Sequence, residues 1–81
     1  MDRETLRQVV LETLRTIAPE VDPASLQDDA PLRDQVDLDS MDWLNFLVRL
    51  HGRLQVDIPE ADYRQLSTLN RLLSYLTAKL A

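Results

Sequence analysis

Leu6, Val9, Val10, Thr13, Leu14 and Ile17 recur at three- and four-residue intervals, with charged residues between them. This spacing predicts an amphipathic helix over residues 3–17, ended by Pro19. Residues 18–38 lose the period, hold Pro19, Pro23 and Pro31, and are rich in aspartate. They read as a connection longer than most inside a compact domain, with Leu26, Leu32 and Val36 as its anchors to the core. Asp39 then has the place of an N-cap, and Asp42 three residues on makes a variant of the capping box. Both charges favour the positive end of a helix running from about Ser40 to Leu54, and Arg49, His51 and Arg53 suit its negative end. Gly52, the only glycine, weakens that end. Val56-Asp57-Ile58-Pro59 is a connector, and Pro59 opens a short helix through about Leu66 with Glu60 and Asp62 in its first turn. Ser67 is the expected cap of a last helix, whose apolar face is Leu69, Leu72, Leu73, Leu76 and Leu80. The fold expected is all-α: a four-helix bundle of three main helices and one short one.

The helix after Asp39 carries more apolar residues than one buried face needs. At about 100° per residue, Trp43, Phe46, Leu47, Leu50 and Leu54 share one side and make a core stripe. Met41, Leu44 and Val48 lie on a second arc, beside Ser40. Two outcomes are open from the pattern: the bundle buries both stripes, or the second stays exposed as a docking strip.

Composition narrows the classes. The chain has 81 residues and no cysteine, with 44% hydrophobic residues. One domain spanning residues 1–81 is expected, held by helix packing without disulfides or thiolate metal sites. So small a core leaves little room for a deep pocket, which disfavours a self-contained enzyme. No segment approaches the roughly 18 consecutive apolar residues of a membrane span, and the charged start shows no secretory pattern, so a cytoplasmic location is the default expectation. The net charge of −5 is uneven: residues 20–42 carry eight acidic side chains against Arg33 alone, net −7. Such a field repels nucleic acid and anionic lipid and draws basic partners inward, although a solvated loop kept for solubility has the same charge.

Catalytic and metal patterns fail on spacing. Ser40 and His51 on one helix are separated by roughly 16 Å, beyond hydrogen-bond reach, and no other histidine exists to build a triad. Counting a calcium loop from Asp37 puts Met41 and Asp42 where an acid or amide and a glycine belong. No His or Cys cluster supports zinc. Tyr63 and Tyr75 are expected to pack on the bundle with hydroxyls outward.

Asp39-Ser40-Met41 resembles the Asp-Ser-Leu signature of acyl carrier proteins, with methionine in the leucine place. Its surroundings resemble the family too: a long acidic loop before it, an apolar-rich helix from the serine, Val56-Asp57-Ile58-Pro59-Glu60 ahead of a short third helix, and Ser67-Thr68-Leu69 ahead of the last. The resemblance covers essentially the whole chain. It implies an acyl-carrier-like bundle that is not an enzyme. It further implies 4′-phosphopantetheine from coenzyme A esterified to Ser40 by a separate phosphopantetheinyl transferase, with Asp39 beside that chemistry. Asp37, Met41, Asp42, Leu44, Asn45 and Val48 are then the partner-binding positions, facing acyl-loading and acyl-processing enzymes with basic docking patches. Phe46, Leu47, Leu50, Leu54, Ile58, Leu66 and Leu73 match core positions, some of them around a sequestered acyl chain. A free-standing monomer that engages neither membrane nor nucleic acid is expected, serving fatty acid, polyketide or related biosynthesis.

Two features depart from the family pattern. Asp37 stands where glycine is usual, and would have to accept a left-handed turn. Asn45, Arg49, His51 and Arg53 replace glutamates along the second helix, which points to a specialised pathway. A helical protein-interaction module without a prosthetic group is the alternative reading, and it would use the same apolar strip.

Overall fold

Each main helix begins at an aspartate or threonine side chain. The Asp2 carboxylate accepts from Thr5 N–H at 2.7 Å and starts α1, Arg3–Ile17. That bond to the Thr5 backbone, first, holds the Asp2 carboxyl below its ordinary pKa. α1 buries Leu6, Val10, Thr13 and Leu14 and ends where Ala18 N–H returns to Leu14 O, one residue before Pro19. Asp39 caps α3, Ser40–Leu54. Thr68 caps α4, Leu69–Leu80, accepting from Arg71 N–H at 3.1 Å. Ser67, the expected cap, instead ends the preceding 3-10 helix, Glu60–Leu66, with helical backbone angles of its own. The computed structural model describes residues 1–80. Its all-α bundle of three main helices and a short one is the expected architecture, and among the described residues no helix is long and apolar enough to cross a membrane.

The long connection is more ordered than its composition suggests. Asp22 accepts from Ala24 N–H and Ser25 Oγ, closing a 3-10 turn over Pro23–Ser25. A single α-helical turn, α2, follows at Leu32–Gln35. Leu32, Val36 and Leu38 are buried, joined by Val21, while Leu26 packs half-buried against the core. Polar contacts from outside this stretch tie it to the bundle. Arg7 pairs with Asp28 at 2.8 Å, Asn70 N–H donates to Asp28 O, Asn70 Nδ2 donates to Asp29, and Leu32 N–H donates to Ser67 O. Gln35 folds back to bond Gln27 and Ala30. Isolated short turns are unstable in water. Here, tertiary hydrogen bonds and buried leucines supply what local propensity lacks.

α3 packs across α1. Phe46, Leu47 and Leu50 are fully or almost fully buried, and Trp43 and Leu54 nearly so. Burying one such side chain contributes about 1.5–3 kcal/mol. The arginines of α3 face α1: Arg49 donates to Thr16 Oγ1 at 2.8 Å, and Arg53 donates to Thr13 Oγ1 at 3.0 Å and pairs with Glu12 at 3.2 Å. The buried Thr13 hydroxyl also donates to Val9 O, so it is satisfied both ways. His51 is exposed and its Nδ1 lies 2.8 Å from Val56 O, stitching the chain that leaves the helix.

α3 ends on Gln55, which has φ 55 and ψ 43, a left-handed conformation that usually belongs to glycine or asparagine. Gln55 is the one non-glycine residue of positive φ among those described. Asp37 therefore accepts no left-handed turn, contrary to expectation. α2 reverses the chain beforehand, and Val36 leaves it in extended conformation. Gly52 sits inside the last turns of α3, and a Cβ there would meet nothing within 4 Å. Tyr75, expected to hold its hydroxyl outward, donates it to Asp62 at 2.6 Å, which ties α4 to the 3-10 helix. Burial first, then this bond, pushes the Tyr75 pKa up to about 12.

Two outcomes follow. Gly52→Ala stabilises the protein by about 0.5–1 kcal/mol, because alanine fits the helical backbone with no new contact and lowers unfolded-chain entropy; urea denaturation measures it. The Tyr75 contribution is complete below about pH 10, its unfolded range, and declines as pH rises toward the folded value of about 12. Alkaline thermal melts should show this decline for the wild type and a smaller one for Tyr75→Phe.

Candidate functional site

The start of α3 brings the acidic segment, an exposed serine and an apolar strip together. Asp39 is extended, and its carboxylate accepts from Asp42 N–H at 2.8 Å. The reciprocal half of the capping box is not formed: among the described residues, no bond joins Asp39 N–H to the Asp42 carboxylate. Ser40 is the first helical residue and is exposed. Its hydroxyl makes no hydrogen bond among the described residues, and the Ser40 and Met41 N–H groups have no partner there either. An anionic ester on Ser40 would thus meet two open donors and the positive end of a fifteen-residue helix. The serine and its surroundings fit a phosphodiester group.

The two stripes of α3 separate as alternative faces. The stripe from Trp43 to Leu54 is core, while Met41, Leu44 and Val48 are 66%, 40% and 55% exposed. Asn45 is exposed beside them, Asp37 and Asp39 are exposed ahead of the helix, and Asp42 is half-buried. All eight positions singled out from the sequence therefore lie in one stretch, around Ser40 and along one side of α3. Arg49 and Arg53 do not belong to that side, because α1 engages them. The core positions are buried as expected except Ile58, which is half-buried.

Two grooves open along α3, the first of them at Val48 on this face and the second at Trp43. One, of about 430 Å³, is lined by Leu47, Val48, His51, Ile58, Pro59 and Tyr63 together with Asp57. The other, of about 350 Å³, is lined by Pro31, Arg33, Trp43, Tyr63, Arg64 and Ser67. Arg33 and Arg64 carried no role in the sequence reading. The available signal was Arg33 as the lone cation of residues 20–42.

Comparison with known proteins gives this geometry its family. The phosphopantetheine attachment site family matches residues 4–76. The chain belongs to that family, the acyl carrier proteins. Its prosthetic group is phosphopantetheine, and family members are carriers rather than catalysts. Among carrier relatives, the chain is 32% identical over 80 residues to polyketide-8 synthase acyl carrier protein 2 of Streptomyces avermitilis, covering 99% of this chain and 86% of that one. It is 26% identical over 77 residues to the acyl carrier protein of Thermotoga maritima, covering 91% and 95%. The solved acyl carrier protein of Enterococcus faecalis shares the fold, with a TM-score of 0.74 at 18% identity over 98% of this chain and 99% of that one.

Removing the cap tests the local geometry. Asp39→Ala should cost about 1 kcal/mol of stability in chemical denaturation, from the lost bond to Asp42 N–H, whereas Asp39→Asn, which keeps an acceptor, should cost a few tenths.

Proposed function

We propose that the chain is an acyl carrier whose prosthetic group is attached at Ser40, in a single domain comprising residues 1–81. The observation that carries this is the exposed, unbonded Ser40 hydroxyl at the first turn of α3, within the stretch that matches the family. In the loading reaction, Ser40 Oγ attacks the phosphorus of coenzyme A that bears the pantetheine. The bond from that phosphorus to the nucleotide's bridging oxygen breaks, adenosine 3′,5′-bisphosphate leaves, and the serine proton passes to a base of the transferase. When bound, phosphopantetheine supplies the terminal thiol that holds acyl groups as thioesters. The chain's own residues do the rest. Asp39 fixes the helix start and keeps the serine turned outward. The open N–H groups of Ser40 and Met41 favour the negative ester.

Met41, Leu44 and Val48, with Asn45 beside them and Asp37, Asp39 and Asp42 at one end, make the docking face for the transferase and for acyl-loading and acyl-processing enzymes. An apolar centre with an acidic edge suits partners with basic rims. The polyketide synthase relative and the lack of glutamates along this face support a specialised pathway such as polyketide assembly over bulk fatty acid synthesis. The protein acts as a cytoplasmic monomer and is not itself an enzyme.

Incubation with coenzyme A, magnesium and a broad-specificity phosphopantetheinyl transferase should add the mass of one phosphopantetheine group to the wild type and none to Ser40→Ala. A wild type that gains nothing while a control carrier is modified would favour the interaction-module reading. Leu44→Ala with Val48→Ala should leave folding intact and lower the kcat/KM of a partner acting on the loaded chain by about tenfold or more, as loss of an interface anchor does.

A further inference from the structure

We propose that the groove between α4 and the 3-10 helix is a second docking surface, and that its occupant is an extended acidic segment of a partner protein. The groove has a volume of about 1010 Å³ and is lined by Arg64, Gln65 and Ser67 before α4 and by Asn70, Arg71 and Tyr75 within it. It follows α4 from Asn70 to Ala78, about 12 Å of helix rise. That length matches roughly three to four residues of extended chain. Clefts for small molecules run to roughly 1,000 Å³, so a groove this large and open in form suits a chain segment better than a single ion. Charge gives the sign of the occupant. Arg3, Arg7, Arg33, Arg49 and Arg53 each donate to a partner within the chain. Arg15, Arg64 and Arg71 have no side-chain partner among the described residues, and two of these three line this groove. A further cation, Lys79, lies over the Tyr75 ring, 5.4 Å from its centroid.

The acids nearby do not neutralise these arginines. Asp29, which also lines the groove, accepts from Asn70 Nδ2 at 2.9 Å, and Asp62 of the 3-10 helix accepts from the Tyr75 hydroxyl at 2.6 Å. A guanidinium only donates, so an occupant has to bring acceptors. Carboxylates meet it with two parallel charge-assisted bonds. In a chain of net charge −5, with its negative field in residues 20–42, this groove is where an acidic partner finds the opposite sign. The groove is also built in advance. Pro31 bridges to Thr68, Leu32 N–H donates to Ser67 O at 2.8 Å, and the Tyr75–Asp62 bond holds the 3-10 helix to α4. Such prior order lowers the cost of binding. No residue of α3 lines the groove among the described residues. A protein held here therefore leaves Ser40 and the strip of Met41, Leu44 and Val48 open, and the chain can be tethered on one face while it exchanges partners on the other.

The test titrates the whole chain, labelled with nitrogen-15, with deca-glutamate, using deca-lysine as the control of opposite sign and inorganic pyrophosphate as the small-anion control. Deca-glutamate should shift the amides of Arg64, Gln65, Ser67, Asn70 and Arg71 and the Nε–H signals of both arginines. Binding should weaken at least fivefold as salt rises from about 0.03 to about 0.3 M, because exposed charges are screened. It should weaken about tenfold or more in the double variant Arg64→Gln with Arg71→Gln, which loses two charged hydrogen-bond donors. Arg15→Gln should leave it unchanged, and deca-lysine should shift residues 20–42 instead. All three arginines are exposed, and thermal melts check that each variant keeps the fold. Loading of Ser40 by the transferase in saturating deca-glutamate should run at the same rate for the wild type and the double variant. Absence of shifts, shifts centred on Arg15, or equal binding by the double variant would each overturn the proposal. So would pyrophosphate binding as tightly with the same shifts, which makes the groove a small-anion site. Concentration-dependent shifts of the groove and of residues 20–42 without peptide would make a second copy the occupant and overturn it likewise. A wild type loaded more slowly than the double variant in the peptide would overturn the independence of the two faces. A chain that fails to load even without peptide counts against attachment at Ser40 and not against the groove.

Discussion

The rotational setting of α3 is the constraint on which the rest of this molecule depends. Five large side chains, Trp43, Phe46, Leu47, Leu50 and Leu54, must enter the core together, and only one orientation of the helix allows it. That orientation leaves Met41, Leu44 and Val48 in solvent and directs Arg49 and Arg53 toward α1. The Asp39 cap fixes where the helix begins, so Ser40 occupies its first turn. Packing energy, through leucines far from the serine, thus sets how the serine is presented.

A second level of order comes from the acidic segment. Eight acidic residues in a short span repel one another and would favour an open chain. The segment nevertheless folds against the bundle because Arg7 neutralises Asp28, Asn70 serves Asp28 and Asp29, and buried Leu32, Val36 and Leu38 anchor it. Asn70 in turn accepts from Arg3, which brings the first turns of α1 and α4 into the same network. The negative field is consequently held on a fixed scaffold, with its charges already in place.

The main helices were legible at α1 and α3: α1 from its apolar period and Pro19, α3 from its period and the Asp39 cap, while the Asp2 cap of α1 emerged only in the structure. The last helix was legible in its apolar face but not in its cap, since Ser67 and Thr68 are adjacent hydroxyl residues and only tertiary contacts choose between them. The bridge from Pro31 to Thr68 and the bond from Leu32 N–H to Ser67 O keep Ser67 in the preceding turn. Residues 18–38 were legible only in their anchors. Their placement against the bundle depends on Asn70 and Ser67, partners more than thirty residues away, and no local pattern contains such contacts. The candidate site was legible as a single stretch, because Ser40 and its neighbours are contiguous in sequence. The stripe left open by periodicity needed the packed bundle to decide it, as did the groove that joins residues from three separate segments.

The inward ties of Arg49 and Arg53 have a bearing on how such a protein can diversify. Changes at those two positions alter the cohesion of α3 with α1 rather than the character of the outer face. The outer face is left to four side chains, Met41, Leu44, Asn45 and Val48, none of which the core requires. Selection can therefore rewrite this face of the helix through a handful of codons while the scaffold beneath is inherited unchanged.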